Sequence, residues 1–248
     1  MPEVLGEYID RIVNVEMLDD NSKRRNKTEL LYRAAREKQG APLTYLAAKG
    51  LVEGTAGNVS ARTPEGNVLL TPSSVAYADI TPEGLAHVDL DGNVLDGANP
   101  STERSMHLAC YRAYPEVGGV MHCHPTYASM FAVARRPIPA AIEEVVVYVG
   151  GEIPVCEYQT TGTDELGDEV ARNVADRSAA LMANHGMLTV GPTVDEAFHV
   201  ASVVEKTAQI VWGATLLAGD APLGAVPDDV NANFANVYNY VRTEMWGS

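Results

Sequence analysis

The sequence predicts a single-domain α/β protein: a central, largely antiparallel sheet with helices around it. Three observations carry this. Short alternating runs between residues 58 and 90 are separated by two Thr-Pro-Glu-Gly turns and closed by Asp-Gly-Asn, the pattern of antiparallel strands. Beyond residue 100, helical periodicity takes turns with apolar runs of strand length. Finally, 248 residues at 46% hydrophobic and 21% charged, without an internal repeat, suffice to bury one core.

Taken in order, residues 1–26 read as a helical extension ending in a solvated, charged stretch, and residues 27–248 as the domain proper, including a C-terminal helix. A helix over 28–38 breaks at Gly40-Ala41-Pro42 and resumes to Gly50, a C-terminal cap. Residues 58–62, 67–71 and 85–90 are the antiparallel strands. A helix starts after Ser101, an N-cap candidate, and stops before Pro115. Residues 118–124, Gly-Gly-Val-Met-His-Cys-His, form a buried strand, and 125–136 a helix leaving it. Residues 144–149, Glu-Val-Val-Val-Tyr-Val, and 153–158, Ile-Pro-Val-Cys-Glu-Tyr, have strand length and character. Residues 164–177 make a helix with an acidic first turn, favourable against the helix dipole. Strands at 179–185 and 187–190 follow. The last long helix opens on Thr193 and Glu196, spaced as a capping box, and runs to Leu217. A Gly/Ala/Pro loop then leads to a final helix carrying Tyr238 and Tyr240.

Composition excludes several functions. With 18 Lys+Arg against 33 Asp+Glu, the net charge of −15 repels phosphate backbones, so broad nucleic-acid binding is not expected. No run approaches 18 apolar residues, and the N-terminus is acidic where a signal peptide is basic. Three cysteines, Cys110, Cys123 and Cys156, are too few for a disulfide framework. The expected class is a cytoplasmic globular protein without a membrane or nucleic-acid partner.

The sharpest chemical feature is Val120-Met121-His122-Cys123-His124-Pro125. On a strand, residues i and i+2 share a face, so His122 and His124 present two imidazoles side by side while Cys123 points the other way. The pair reads as metal ligands or as hydrogen-bonded core histidines. His185, in the turn Asn184-His185-Gly186, offers a third imidazole, completing the three protein ligands typical of a catalytic zinc with an open fourth position. A purely structural zinc is disfavoured, because such sites use four protein ligands, often cysteines. His87, His107 and His199 read as structural or surface residues. Glu103 reads either as a first-turn acid stabilising a helix dipole or as a proton-transfer carboxylate beside the metal. Gly54, Thr55, Gly57, Asn58 and Ser60, with Ser73, Ser74, Ser101 and Thr102, form candidate anion-cradling turns. P-loop and Rossmann fingerprints are absent, against nucleotide binding.

Six segments together resemble the class II aldolase/adducin family, most closely its L-fuculose-1-phosphate aldolase group. They are Gly-Thr-Ala-Gly-Asn-Val-Ser (54–60), Thr-Pro-Ser-Ser-Val-Ala-Tyr (71–77), Pro-Ser-Thr-Glu (100–103), His-Cys-His-Pro (122–125), Thr-Gly-Thr (161–163) and Asn-His-Gly (184–186). The resemblance implies a three-layer α/β/α fold and a Zn2+ (or another divalent ion) on His122, His124 and His185. It implies Glu103 as catalytic acid/base, and a substrate phosphate held by Thr55, Gly57, Asn58, Ser73, Ser74, Ser101 and Thr102. A homotetramer with active sites between subunits is also implied. The expected reaction is retro-aldol cleavage of a small phosphorylated ketose to dihydroxyacetone phosphate and an aldehyde, through a metal-stabilised enediolate.

Three departures qualify the match. The family's tyrosine near the Glu144 position is replaced by a carboxylate, which changes the substrate contacts there. The usual Thr-Pro-(Ser/Thr)-Gly ends in Ser74, and residues 1–26 have no counterpart in the shorter aldolases. The C-terminal helix is expected to supply an active-site tyrosine, Tyr240 ahead of Tyr238, or else both are packing residues. Alternatives on the same scaffold are a decarboxylase of a sugar-acid phosphate or aromatic acid, a dehydratase, and a 4-epimerase. The epimerases carry Asp at the Glu103 position. The non-enzymatic alternative is an adducin-like assembly domain, against which the retained histidines and Glu103 weigh.

Overall fold

The computed structural model describes residues 51, 56–76 and 79–246. The expected extension over 1–26 and the helices over 28–50 lie outside the described residues. The described chain forms one eight-stranded sheet in the order β4-β3-β2-β1-β5-β8-β7-β6. Its strands are β1 (Asn58–Arg62), β2 (Val68–Leu70), β3 (Ala86–Val88), β4 (Val94–Asp96), β5 (Gly119–Cys123), β6 (Val155–Cys156), β7 (Ala179–Met182) and β8 (Gly186–Gly191). Only β6 and β7 run parallel; every other pairing is antiparallel. The largely antiparallel α/β/α expectation is met, with β4 as an additional, fully exposed edge strand.

Among the described residues six α-helices flank the sheet: α1 (Arg104–Ala113), α2 (Thr126–Ala134), α3 (Glu143–Val149), α4 (Asp164–Asn173), α5 (Val194–Ala218) and α6 (Asp228–Met245). Strand parity sorts the core into two halves. Val120 of β5 and Leu188 of β8 pack with Met106 and Leu108 of α1 and Leu166 and Val170 of α4. Met121 and Cys123 face the opposite layer, with Ala128 of α2, Val145 and Val149 of α3, and Val204 of α5. Each fully buried side chain of this size contributes on the order of 2 kcal/mol. Because β5 and β8 are covered on both faces, all their residues are buried, so they read as continuous apolar runs, without alternation.

Three expectations need correction. Residues 144–149 are helical, not a strand. The Val145, Val146 and Val149 side chains form one buried stripe, and α3 packs against α5 and α6; Gly150 ends the helix at φ +99°. A Cβ at Gly150 would lie 2.6 Å from the Tyr238 ring, so α6 closes directly over this cap. The strand expected over 153–158 shrinks to β6, with Ile153 bridging Ile138. Ser101 stands two residues before the N-cap, which is Glu103 without a side-chain capping bond. The Ser101 hydroxyl instead accepts from the Glu103 N–H at 3.2 Å. Thr193 does cap α5, accepting from the Glu196 N–H while bonding the Glu196 carboxylate.

Candidate metal centre

The strand ladder places the site. β5 pairs with β1 so that His122 lies opposite Asn58, and both project toward α1. His124 follows at the strand end, and Pro125 N-caps α2. The α2 start is fixed by Glu205, whose carboxylate accepts from the Tyr127 and Ala128 N–H groups at 3.0 and 2.8 Å. His185 sits in the β7–β8 turn, after Asn184 in the left-handed region at φ 57°. That conformation is braced by Arg135, whose guanidinium donates to the Asn184 side-chain oxygen at 3.0 Å. Gly186 makes the turn possible at close quarters: a Cβ there would meet the Cys123 carbonyl oxygen and His124 Cδ2, each at 2.6 Å.

The three imidazoles converge. Their ring centroids are 4.6, 4.7 and 5.0 Å apart, and each offers a nitrogen within 4.8 Å of the others. His122 Nδ1–H donates to the Met187 carbonyl at 2.9 Å, so in the neutral ring Nε2 carries the lone pair. That Nε2 lies 2.8 Å from His124 Nε2 and 3.5 Å from a Glu103 carboxylate oxygen. Burial keeps His122 neutral, its pKa pushed down to about 3. Burial and the nearness of His185 also lower His124. A lone pair directed at a carboxylate and at a second imidazole calls for a cation between them. Nitrogens ~2.0–2.1 Å from one tetrahedral ion stand roughly 3.3 Å apart, within the span these rings cover. The donor set therefore fits a divalent metal, with His122, His124 and His185 as the holding residues.

Glu103 stands at the edge of this cluster, where α1 begins. Its carboxylate lies 3.1 Å from His185 Nε2 and accepts from Asn58 Nδ2 at 2.6 Å. Burial alone would raise its pKa, but the hydrogen bonds from His185 and Asn58, with the nearness of the His122 ring, hold it down to about 2. It is thus ionised, and its side chain keeps 12% of its exposure, so the carboxylate is not sealed from the solvent side.

Three cradle loops meet at the same end of the sheet. Pro72 bridges Pro100, the Ser73 N–H donates to the Asn99 carbonyl, and the Ser101 N–H to the Thr71 carbonyl. Ser73 and Ser74 hydroxyls lie 3.3 Å apart, with Ser74 at φ 61°, the conformation that the glycine of the usual motif takes without strain. Thr102 is exposed beside Gly162 of the Thr-Gly-Thr segment. Asn58 and Ser101 are buried, and their side chains bond each other and Glu103. Gly57 precedes them at φ 84°; Thr55 lies outside the described residues.

The two remaining predicted residues are not brought to the cluster within one chain. Glu144 is exposed in the first turn of α3, in the layer on the other face of the sheet. Tyr240 is 63% exposed on α6. The C-terminal half of α6 is anchored where β5 and β7 begin, through Tyr238 to Ser178 and Arg242 to Glu116. The imidazoles stand where those strands end, roughly 15 Å away at about 3.3 Å per residue. Tyr238 itself is a buried packing residue.

His107, expected to be a structural or surface residue, touches the support of Glu103: His107 Nε2 is 2.5 Å from Asn58 Oδ1. Two spacings signal the contact: Glu103 and His107 stand at i, i+4 on α1, and Asn58 and Ser60 at i, i+2 on β1.

Residues 43–212 match the class II aldolase and adducin N-terminal domain. The chain is 38% identical over 176 residues to a 5-methylthioribulose-1-phosphate/5-deoxyribulose-1-phosphate aldolase of Escherichia coli, covering 71% of this chain and 82% of the relative. It is 33% identical over 211 residues to a 5-deoxy-D-ribulose 1-phosphate aldolase of Bacillus thuringiensis, covering 84% and 97%. Among solved structures, an L-fuculose 1-phosphate aldolase superposes with a TM-score of 0.77 at 31% identity, covering 82% of this chain and 95% of the other.

Proposed function

The chain belongs to the class II aldolase and adducin family, and on that footing we propose that it is a zinc-dependent lyase of small phosphorylated ketoses. Its products are dihydroxyacetone phosphate and an aldehyde. The aldolase names of its relatives make it a metal-dependent carbon–carbon lyase; the substrate, the zinc and the roles below are our reading. The observation that carries it is the convergence of three imidazole nitrogens with one ionised carboxylate.

His122, His124 and His185 would hold a divalent ion, which would supply Lewis-acid chemistry to the substrate's oxygens. Met187 orients His122 by taking its Nδ1–H, which leaves Nε2 facing the site. In the condensation direction Glu103, ionised at rest, takes the proton from the carbon next to the carbonyl; in cleavage the protonated carboxyl returns it to that carbon once the C–C bond has parted. The meeting of the 57–58, 71–74 and 99–102 loops supports a phosphate grip there, by Thr55, the Gly57 and Asn58 backbone, Ser73, Ser74, Ser101 and Thr102. A grip remote from the reacting carbons lends binding energy to orientation.

A second group must give a proton to the aldehyde oxygen in condensation and, in its deprotonated form, take the same proton back from the hydroxyl in cleavage. Tyr240 is remote from the cluster of its own chain, so we assign this role to Tyr240 of a neighbouring copy in a homotetramer, with Glu144 lining the aldehyde side. Exposed Trp212, Leu216 and Leu217 on α5 support association. We take 27–248 as the catalytic domain and 1–26 as an appended extension. Three free, buried thiols support a cytoplasmic setting, and no described helix is long and apolar enough to cross a membrane.

The test is a panel of ketose 1-phosphates and sugar-acid phosphates offered to zinc-replete enzyme, with aldehyde, dihydroxyacetone phosphate and CO2 all followed. Aldehyde with dihydroxyacetone phosphate is the expected outcome. Release of CO2 instead would make the protein a decarboxylase on the same scaffold.

A further inference from the structure

Behind Glu103 lies a buried line of hydrogen bonds that reaches through the sheet–helix interface to Tyr111. Glu103 accepts from Asn58 Nδ2 at 2.6 Å; Asn58 Oδ1 faces His107 Nε2 at 2.5 Å; His107 Nδ1 faces Ser60 Oγ at 2.6 Å; Ser60 Oγ faces the Tyr111 hydroxyl at 3.0 Å. Ser60, His107 and Tyr111 are at most 1% exposed and Asn58 3%, so no bulk water competes for these groups.

The chemistry of each group fixes the direction of every bond. An ionised carboxylate only accepts, so Asn58 must turn its NH2 toward Glu103 and its carbonyl oxygen toward His107. That oxygen also only accepts, so His107 must carry its proton on Nε2. Burial keeps the ring neutral, and Nδ1 is then an acceptor, which requires Ser60 to donate to it and Tyr111 to donate to Ser60. All the dipoles thus point the same way and end on the carboxylate, an arrangement in which successive bonds polarise one another. Among the described residues, the other side-chain contacts on Glu103 come from His122 and His185, whose ring nitrogens face the proposed metal. Asn58 is therefore the holding contact that does not draw on a ligand ring.

We propose that His107 is a positioning residue for the reaction: it fixes the rotamer and amide orientation of Asn58, and through it the placement of Glu103. The proposal rests on Glu103 being the proton carrier. Two polar replacements separate positioning from mere occupancy of a buried site. H107Q keeps an N–H where Nε2 stood and so keeps the link to Asn58; H107N keeps an amide near the Nδ1 position, retaining Ser60 but releasing Asn58. In zinc-loaded enzyme, H107N is expected to lose 10- to 100-fold in kcat with KM within about two-fold and zinc content unchanged, while H107Q stays within about three-fold of the parent. Equal behaviour of the two variants, in either direction, overturns the proposal. Should H107N not fold, N58A cuts the same link and is expected to lower kcat by a similar factor; a parental kcat in N58A overturns it equally.

A readout independent of turnover is the ring-proton resonance of His107 in 15N-histidine-labelled protein. E103Q removes the charge at the end of the line and is expected to shift the Nε2–H signal; an unmoved signal contradicts the coupling. E103Q assayed in parallel separates the two claims. If E103Q turns over normally, the assignment of Glu103 fails, whereas if E103Q is inactive and H107N is not impaired, only the positioning role fails.

Discussion

Glu103 is a carboxylate surrounded by donors, and its charge is what the site has to control. Replacing it with Gln keeps its size and most hydrogen bonds but removes the base. E103Q should retain its zinc and lose about 10²–10⁴ in kcat, the usual contribution of a positioned acid/base; undiminished turnover would take Glu103 out of the mechanism. His107 has a second, thermodynamic signature. Burial lowers its pKa to about 4, the Glu103 charge pulling the other way. The unfolded chain binds that proton more readily, so the stability it contributes is whole above about pH 6.5 and is lost as pH falls through 4, by about 3 kcal/mol. Urea midpoints measured from pH 7.5 to 4.5 should therefore fall more steeply for the parent than for H107Q, and parallel slopes would contradict this. At this scale the imidazole set was legible because strand parity puts His122 and His124 on one face. His107 was not, because its partners Asn58 and Ser60 come from a strand some fifty residues earlier, and only the fold brings them together.

Among the elements, the β7–β8 turn governs the third imidazole. G186A would drive a methyl group into the Cys123 carbonyl and the His124 ring, displacing two ligand-bearing segments at once without altering a ligand. The expected result is a 10- to 100-fold weaker zinc affinity, the range seen when the support of a metal ligand is lost, measured by competition with a chromogenic chelator; unchanged affinity would mean the turn adapts freely. The Thr193 cap was readable because its partner, Glu196, lies three residues on. The helix α3 was misread for the complementary reason. A run of valines fits a buried strand and a buried helix equally well by pattern, and the deciding contacts, from α5 and α6, are remote in sequence. The strand β4, exposed at the sheet edge, carries no apolar pattern to announce it.

For the whole molecule, one chain holds the proposed metal and base but leaves Tyr240 at the other end of the strands. If active sites form between copies, Y240F and E103Q should each be impaired alone, yet regain activity when dissociated and reassembled together. Random mixing in equal amounts predicts recovery to about a quarter of the parent, because a complete site needs one intact residue from each of two neighbours. No recovery would place the second proton-transfer group elsewhere. The fold itself was readable at this scale, since turn-separated strands and intervening helices leave few ways to cover both faces of one sheet. Assembly was not, because exposed side chains such as Trp212 and Leu217 have no pattern along the chain that marks a partner. Everything proposed here turns on metal-assisted cleavage at the three histidines. The most direct test is formation of dihydroxyacetone phosphate from its best ketose 1-phosphate by the parent and by H185A, before chelation, after chelation and after zinc is restored. The parent should lose the reaction with its zinc and regain it on reloading, while H185A binds less zinc and recovers little. Product formation that persists in the verified metal-free parent would contradict the account.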